Sequence, residues 1–180
     1  MSCRIFLDLE TTCLDPATGH ILEIGVLATT AEAPAYTEVA AQSWVVNPGT
    51  FDLNGFTLDM HTKSGLLDDI RAGRGLLLAD AERGLLDFLR YFGNPAPGRE
   101  PIAGFSPHFD LAWLRVHLPR VASYFSHRTF DCSTLRQLAR DLGRADLVPT
   151  ADAAHRALAD CRAAASMARA VAGLCAVPRD

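Results

Sequence analysis

Four carboxylates and one histidine carry the pattern with the most chemical content. Asp8 and Glu10 are two residues apart, so on an extended chain both side chains leave the same face. That offers two hard oxygen ligands to one divalent cation, although an Asp-x-Glu pair alone equally describes a solvated strand end. The setting favours a site: Asp8 follows the run Arg4-Ile5-Phe6-Leu7 and precedes Thr11-Thr12, small hydroxyl residues that let a ligand approach. A third carboxylate, Asp110, closes the run Phe105-Ser106-Pro107-His108-Phe109-Asp110 at the start of an expected helix, where an aspartate also stabilises a helix without any further role. The fourth, Asp160, follows His155 by five residues. Five residues of regular helix turn about 500° and leave two side chains about 140° apart. The two converge only if His155 lies at or before the helix start, for which Thr150-Ala151-Asp152-Ala153-Ala154 offers room. Otherwise Asp160 is a solvated helix residue paired with Arg156.

The elements that must position these groups follow from hydrophobic periodicity. Arg4 to Asp8, Ile21 to Leu27 and Val39 to Val46 read as strands, the second and third separated by a turn at Glu32 to Ala35. Asp8 is then expected at a strand end, and three successive strands suggest an antiparallel meander. Residues 48 to 59 read as loop, and Lys63 to Arg71 and Asp80 to Phe92 as amphipathic helices. Gly93 to Gly98 form a loop too short for a domain linker. Beyond it, Pro101 to Phe105 and Arg128 to Cys132 read as strands, and Phe109 to Leu118, Ser133 to Leu142 and His155 to Leu174 as helices. This order predicts an α/β fold, a mixed sheet covered by helices. At 180 residues with 49% hydrophobic composition, the chain is long enough for one core and short for two, so residues 1–180 are expected to form a single domain.

Composition narrows the partners. The N-terminal residues lack the layout of a secretory signal, and no apolar run approaches the roughly 20 residues that span a bilayer; a soluble cytoplasmic protein with no membrane partner is expected. Five scattered cysteines without Cys-x-x-Cys spacing argue against zinc or redox chemistry and for reduced thiols. The net charge of −4 does not supply the field that tracks long nucleic acid. Arg115, Arg120, Arg128, Arg136, Arg140 and Arg144 stand against Asp131 and Asp141, a local excess of about four positive charges that fits a confined anion site. Lys63 is the only lysine. The arginine bias suits bidentate phosphate recognition, and a GC-rich genome would produce it too.

Taken in order and spacing, Asp8-x-Glu10, then Asp110, then His155 with Asp160, resemble the three motifs of the DEDDh 3′-to-5′ exonucleases. The chain most resembles the oligoribonuclease family within that group, over nearly its whole length. The likeness extends to His61 with Ser64-Gly65-Leu66, Gly104-Phe105-Ser106, Leu118-Pro119-Arg120 through Tyr124-Phe125, and Asp131-Cys132-Ser133-Thr134-Leu135 to Leu138-Ala139-Arg140. The resemblance implies a ribonuclease H-like fold and two divalent cations, Mg2+ or Mn2+, held by Asp8, Glu10, Asp110 and Asp160. It further implies His155 as general base, short single-stranded RNA as substrate, nucleoside 5′-monophosphates as products, and a homodimer. By the same resemblance Leu14 and Phe56 pack against bases, His61 lies near the substrate, and Ser106, Arg128 and Ser133 close over a 5′ phosphate.

The pattern also departs from the family. Relatives carry a tyrosine where this chain has His127, Met and Gly where it has Thr11 and Cys13, and Trp at the place of Phe56. Glu10-Thr11-Thr12 and Val46-Asn47-Pro48 look instead like proofreading exonuclease subunits of DNA polymerases. A nuclease acting on DNA 3′ ends is therefore the second reading, and an inactive binding module of the same fold the third.

Overall fold

The computed structural model of the protein describes residues 3–94, 96, 98–148 and 155–175. Its first three strands, β1 (Cys3–Thr11), β2 (Ile21–Thr30) and β3 (Glu38–Val45), form the expected antiparallel meander. β4 (Glu100–Gly104) and β5 (Phe125–Asp131) add to the other side of β1 in parallel, giving the order β3-β2-β1-β4-β5. Among the described residues seven α-helices surround the sheet: α1 (Gly55–Lys63), α2 (Leu66–Arg71), α3 (Leu78–Phe92), α4 (His108–His117), α5 (Pro119–Ala122), α6 (Cys132–Asp141) and α7 (Ala157–Cys175). This is the mixed, helix-covered sheet expected from the order of apolar runs.

The two faces of β1 explain why its residues alternate as they do. Ile5, Leu7 and Leu9 enter a core with Leu85 and Leu89 of α3 and Trp113 and Leu114 of α4. Phe6 turns to the opposite core, built with Ala103, Cys132 of α6, and Cys161, Ala164, Ala165, Met167 and Ala168 of α7. With a period of two, Asp8 and Glu10 follow Phe6 onto the face that α7 covers. Small side chains on α7 let the helix lie close. Closest of all is its first turn, where a Cβ on Gly25 would fall 2.4 Å from the carbonyl carbon of Ala157. Gly25 stands across the ladder from Asp8, so the side chain it lacks is the space α7 occupies. A sheet covered on both faces also accounts for nearly unbroken apolar runs in β1 and β2.

Several boundaries differ from expectation. Asp8 is not at a strand end: β1 continues to Thr11 because the antiparallel ladder with β2 carries it there. The stretch 48–59, read as loop, contains the start of α1, where Asn54 caps the helix by accepting the Thr57 N–H at 2.9 Å. The helix expected over Lys63–Arg71 is broken after Lys63, and Gly65, at φ +75°, supplies the left-handed turn between α1 and α2. β5 begins at Phe125 rather than Arg128, and the short α5 has no counterpart among the expected helices. The expected helix start at Thr150–Ala154 lies outside the described residues. Among those described, no helix is long and apolar enough to cross a membrane.

Candidate active site

Three carboxylates meet where α7 docks on the sheet. Asp8 and Glu10 project from β1, and Asp160 comes down from the first turn of α7. One oxygen of each lies within 4.8 Å of one oxygen of both others. Asp110 joins them from α4 through an interaction with the strand itself. The parallel ladder between β1 and β4 has gone no further than Gly104, so the backbone beyond Leu7 lacks a strand on that side. Asp110, only 3% exposed, fills the place with a carboxylate that accepts the Leu9 N–H at 3.0 Å. A helix-capping role is thereby excluded as its whole purpose.

The electrostatics are those of crowded acids. Burial holds the Asp8 carboxyl well above the usual carboxylate range, and the charges of Asp110, Glu10, Asp160 and Glu23 push it further. Glu10 is raised to about 8 by burial and by Asp160, Glu23 and Asp110, with Arg156 acting against them. Burial raises Asp110 as well, opposed by its hydrogen bond from Leu9. Asp160 is raised by burial and lowered by nearby His155. Like charges this close in a poorly hydrated site must either hold protons or share a cation.

His155 stands before α7, two residues ahead of Ala157, with φ +42°. The obstacle raised by a regular helix, two side chains about 140° apart, is removed because the chain is not helical there. Arg156 does not pair with Asp160. It binds Glu23 on β2 and Asp69 on α2, residues that periodicity alone did not single out. A signal was present: Glu23 interrupts Ile21-Leu22-Glu23-Ile24, and a glutamate inside a buried strand needs a partner.

The remaining expected residues fall into four groups. Leu14 and Phe56 flank a cleft of about 430 Å³ that also contains Glu10, Thr11, Cys13, Met60 and Phe109. Both are large apolar side chains left in water, 84% and 74% exposed. Ser106 and Ser133 meet with their hydroxyl oxygens 3.0 Å apart, and Asp131 holds both backbones by accepting their N–H groups at 3.1 and 2.8 Å. His127 and Arg128 lie on the exposed part of β5 and line a different hollow with Arg99 and Pro101. His61 is fully buried. Its Nε2 donates to the Thr11 carbonyl at 2.9 Å and its Nδ1 lies 3.8 Å from Glu10, so its contacts run to the backbone and side chain of β1 instead of into the cleft. Burial pushes the imidazole below its ordinary value, toward the neutral form.

Comparison with known proteins places this geometry in a family. Residues 5–168 match the exonuclease family model RNase_T. The oligoribonuclease of Cutibacterium acnes is 32% identical over 87% of this chain and 77% of its own length. That of Klebsiella pneumoniae is 36% identical over 76% of this chain and 74% of its own. Among solved structures, E. coli exonuclease I in complex with a dA13 oligonucleotide superposes with a TM-score of 0.68 at 16% identity, over 95% of this chain. Exonuclease I from Methylocaldum szegediense gives the same TM-score at 19% identity. This chain spans 40% of the length of each of those two structures, and the likeness is one of fold, ribonuclease H-like. With an acidic cluster drawn from three separate elements, a histidine beside it and a sequence match over most of its length, the chain belongs to the oligoribonuclease family of exonucleases and is a 3′-to-5′ exoribonuclease.

Proposed function

We propose that the protein hydrolyses very short single-stranded RNA from the 3′ end to nucleoside 5′-monophosphates, at the cluster of Asp8, Glu10, Asp110 and Asp160. The observation that carries this reading is the meeting of three acidic oxygens within 4.8 Å beside an exposed apolar cleft. The donor set fits divalent cations: all hard oxygens, closely spaced, with burial raising every member. Two such ions, Mg2+ or Mn2+, would supply water activation and stabilise the charge on the leaving oxygen. The side chains do the rest. His155, placed outside the helix and near Asp160, takes the proton of the attacking water, a task matched to an imidazole. Leu14 and Phe56 offer faces for the bases. Ser106 and Ser133 present paired hydroxyls to a phosphate, and Arg128 supplies its charge.

The same reading includes a single domain over 1–180, a homodimer in which His127 and Arg128 reach a neighbouring site, and work in the cytoplasm. Release of 5′-mononucleotide from a 5′-phosphorylated RNA dinucleotide, compared with longer RNA and DNA strands in manganese, tests it. Cleavage chiefly of the dinucleotide, lost in Asp8→Asn, is expected. Activity mainly on long DNA would replace this reading with the proofreading one.

A further inference from the structure

The carboxylate directly across the ladder from Glu10 stays out of the acidic cluster. Glu23 is 1% exposed and is bonded entirely by protein. Its Oε1 accepts from Ser43 Oγ at 2.8 Å and Arg156 Nη2 at 3.1 Å; its Oε2 accepts from Arg156 Nε and the Ala157 N–H, both at 3.0 Å. A carboxylate has about four acceptor positions, so Glu23 has none left for a cation. The same Arg156 Nη2 lies 2.9 Å from Asp69 on α2. One guanidinium is thus gripped from a strand and from a helix, while the strand's carboxylate also captures the first N–H of α7, which no intrahelical carbonyl reaches.

The residue just ahead of this grip is His155, held at φ +42°. A non-glycine residue stays in that left-handed region only when its surroundings over-determine it, and Arg156 and Ala157 are where the bonds fall. On the other side, Asp160 N–H bonds to the Arg156 carbonyl at 3.1 Å, so the turn that carries Asp160 starts from the same clamped residue.

We propose that Glu23, Arg156 and Asp69 form a clamp that sets the position of His155 against Asp160, with Arg156 and Glu23 acting as positioning residues. The inference rests on the reading of His155 as the general base. Neither residue touches substrate. The fork of an arginine is required, because a lysine brings charge without two parallel donors.

The test is a double-mutant cycle on the metal-loaded protein, using the 5′-phosphorylated RNA dinucleotide, with amide hydrogen exchange measured alongside. Arg156→Gln should lower kcat by about 10- to 100-fold, the range for groups that orient a catalytic residue, with KM within about twofold. In the His155→Ala background the same change should cost far less, only what reaches the cluster through Asp160. Amides of residues 157–160 should exchange faster in Arg156→Gln, with those of β1 and α3 unchanged. Losses that multiply in the double variant, a loss carried by KM, or unaltered exchange would each overturn the clamp. Wild-type activity in His155→Ala would instead remove the base assignment beneath it. Should Arg156→Gln fail to fold, Asp69→Asn, which removes one anchor and keeps the Glu23 pair, should give a smaller loss that again shrinks without His155.

Discussion

Glu10 and Glu23 face each other across the β1–β2 ladder, and the protein answers the charge of only one. Directly opposed like charges destabilise a sheet. Arg156 and a helix N–H neutralise Glu23, whereas Glu10 is raised to about 8 and left with acidic neighbours. The asymmetry predicts how stability depends on pH. A carboxyl whose folded value lies above its unfolded value favours folding while protonated and opposes it once ionised. In chelator, the protein should lose stability as pH rises from about 4.5 through about 8, and Mg2+ should flatten that slope. Melting temperatures across this range, with and without the ion, check it; an identical slope in both would contradict the cation reading.

Asp8→Asn removes a carboxyl whose ionisation burial and its acidic neighbours oppose. In chelator its melting temperature should be higher than that of the parent protein, by several degrees for each kcal/mol of repulsion relieved. Its nuclease activity should fall more than about 100-fold. Stability and activity moving down together would mean that Asp8 is structural.

Two glycines give a matched pair. A Cβ on Gly25 would meet the backbone of Ala157 and Leu158 at 2.4 and 2.5 Å, while one on Gly173 meets nothing within 4 Å. Gly25→Ala should cost about 1–3 kcal/mol, as overpacking does, and displace the first turn of α7, taking activity with it. Gly173→Ala should leave activity intact and add a few tenths to about 1 kcal/mol of stability. Urea titrations of both proteins give the comparison.

Leu14 and Phe56 stand in water, so truncating them removes little packing. Leu14→Ala and Phe56→Ala should leave the unfolding midpoint unchanged and weaken dinucleotide binding by about tenfold each, within the range of about 1–3 kcal/mol for a stacked base. Equilibrium binding in calcium, which permits association without turnover, would measure this.

Arg128→Ala should reduce cleavage of 5′-phosphorylated dinucleotides more than that of longer strands. Equal losses on both would remove Arg128 from the phosphate end. Light scattering at micromolar concentration checks the homodimer on which its reach to a site depends.

The strands and the Asp8–Glu10 pair were legible in the sequence because both obey local rules, whereas Asp110, His155 and Asp160 stood out only by the order and spacing of the whole set. Period-two alternation along β1 is enough to put Phe6, Asp8 and Glu10 on one face. The rest depended on tertiary contacts that no local pattern encodes. Asp110 reads as a helix-start aspartate, and only the early end of β4 at Gly104 turns it toward Leu9. His61 reads as a ligand-facing histidine, yet the packing of α1 buries it behind Glu10. Arg156 reads only as a helical partner for Asp160 because its actual partners, Glu23 and Asp69, lie far back along the chain on β2 and α2. The start of α1 was missed for a simpler reason: Asn54 is a good cap, but Gly55 after it weakens the helical signal.

Asp8 and Asp160 come from opposite ends of the described chain, and the three-carboxylate cluster closes only when both are in place. During synthesis the N-terminal strands emerge first, carrying Asp8 and Glu10 but no partner from α7. Only after that last helix has left the ribosome and docked against Gly25 is the acidic constellation complete. A ribonuclease arranged this way stays unarmed until strands from the start of its fold and the helix from its end have met.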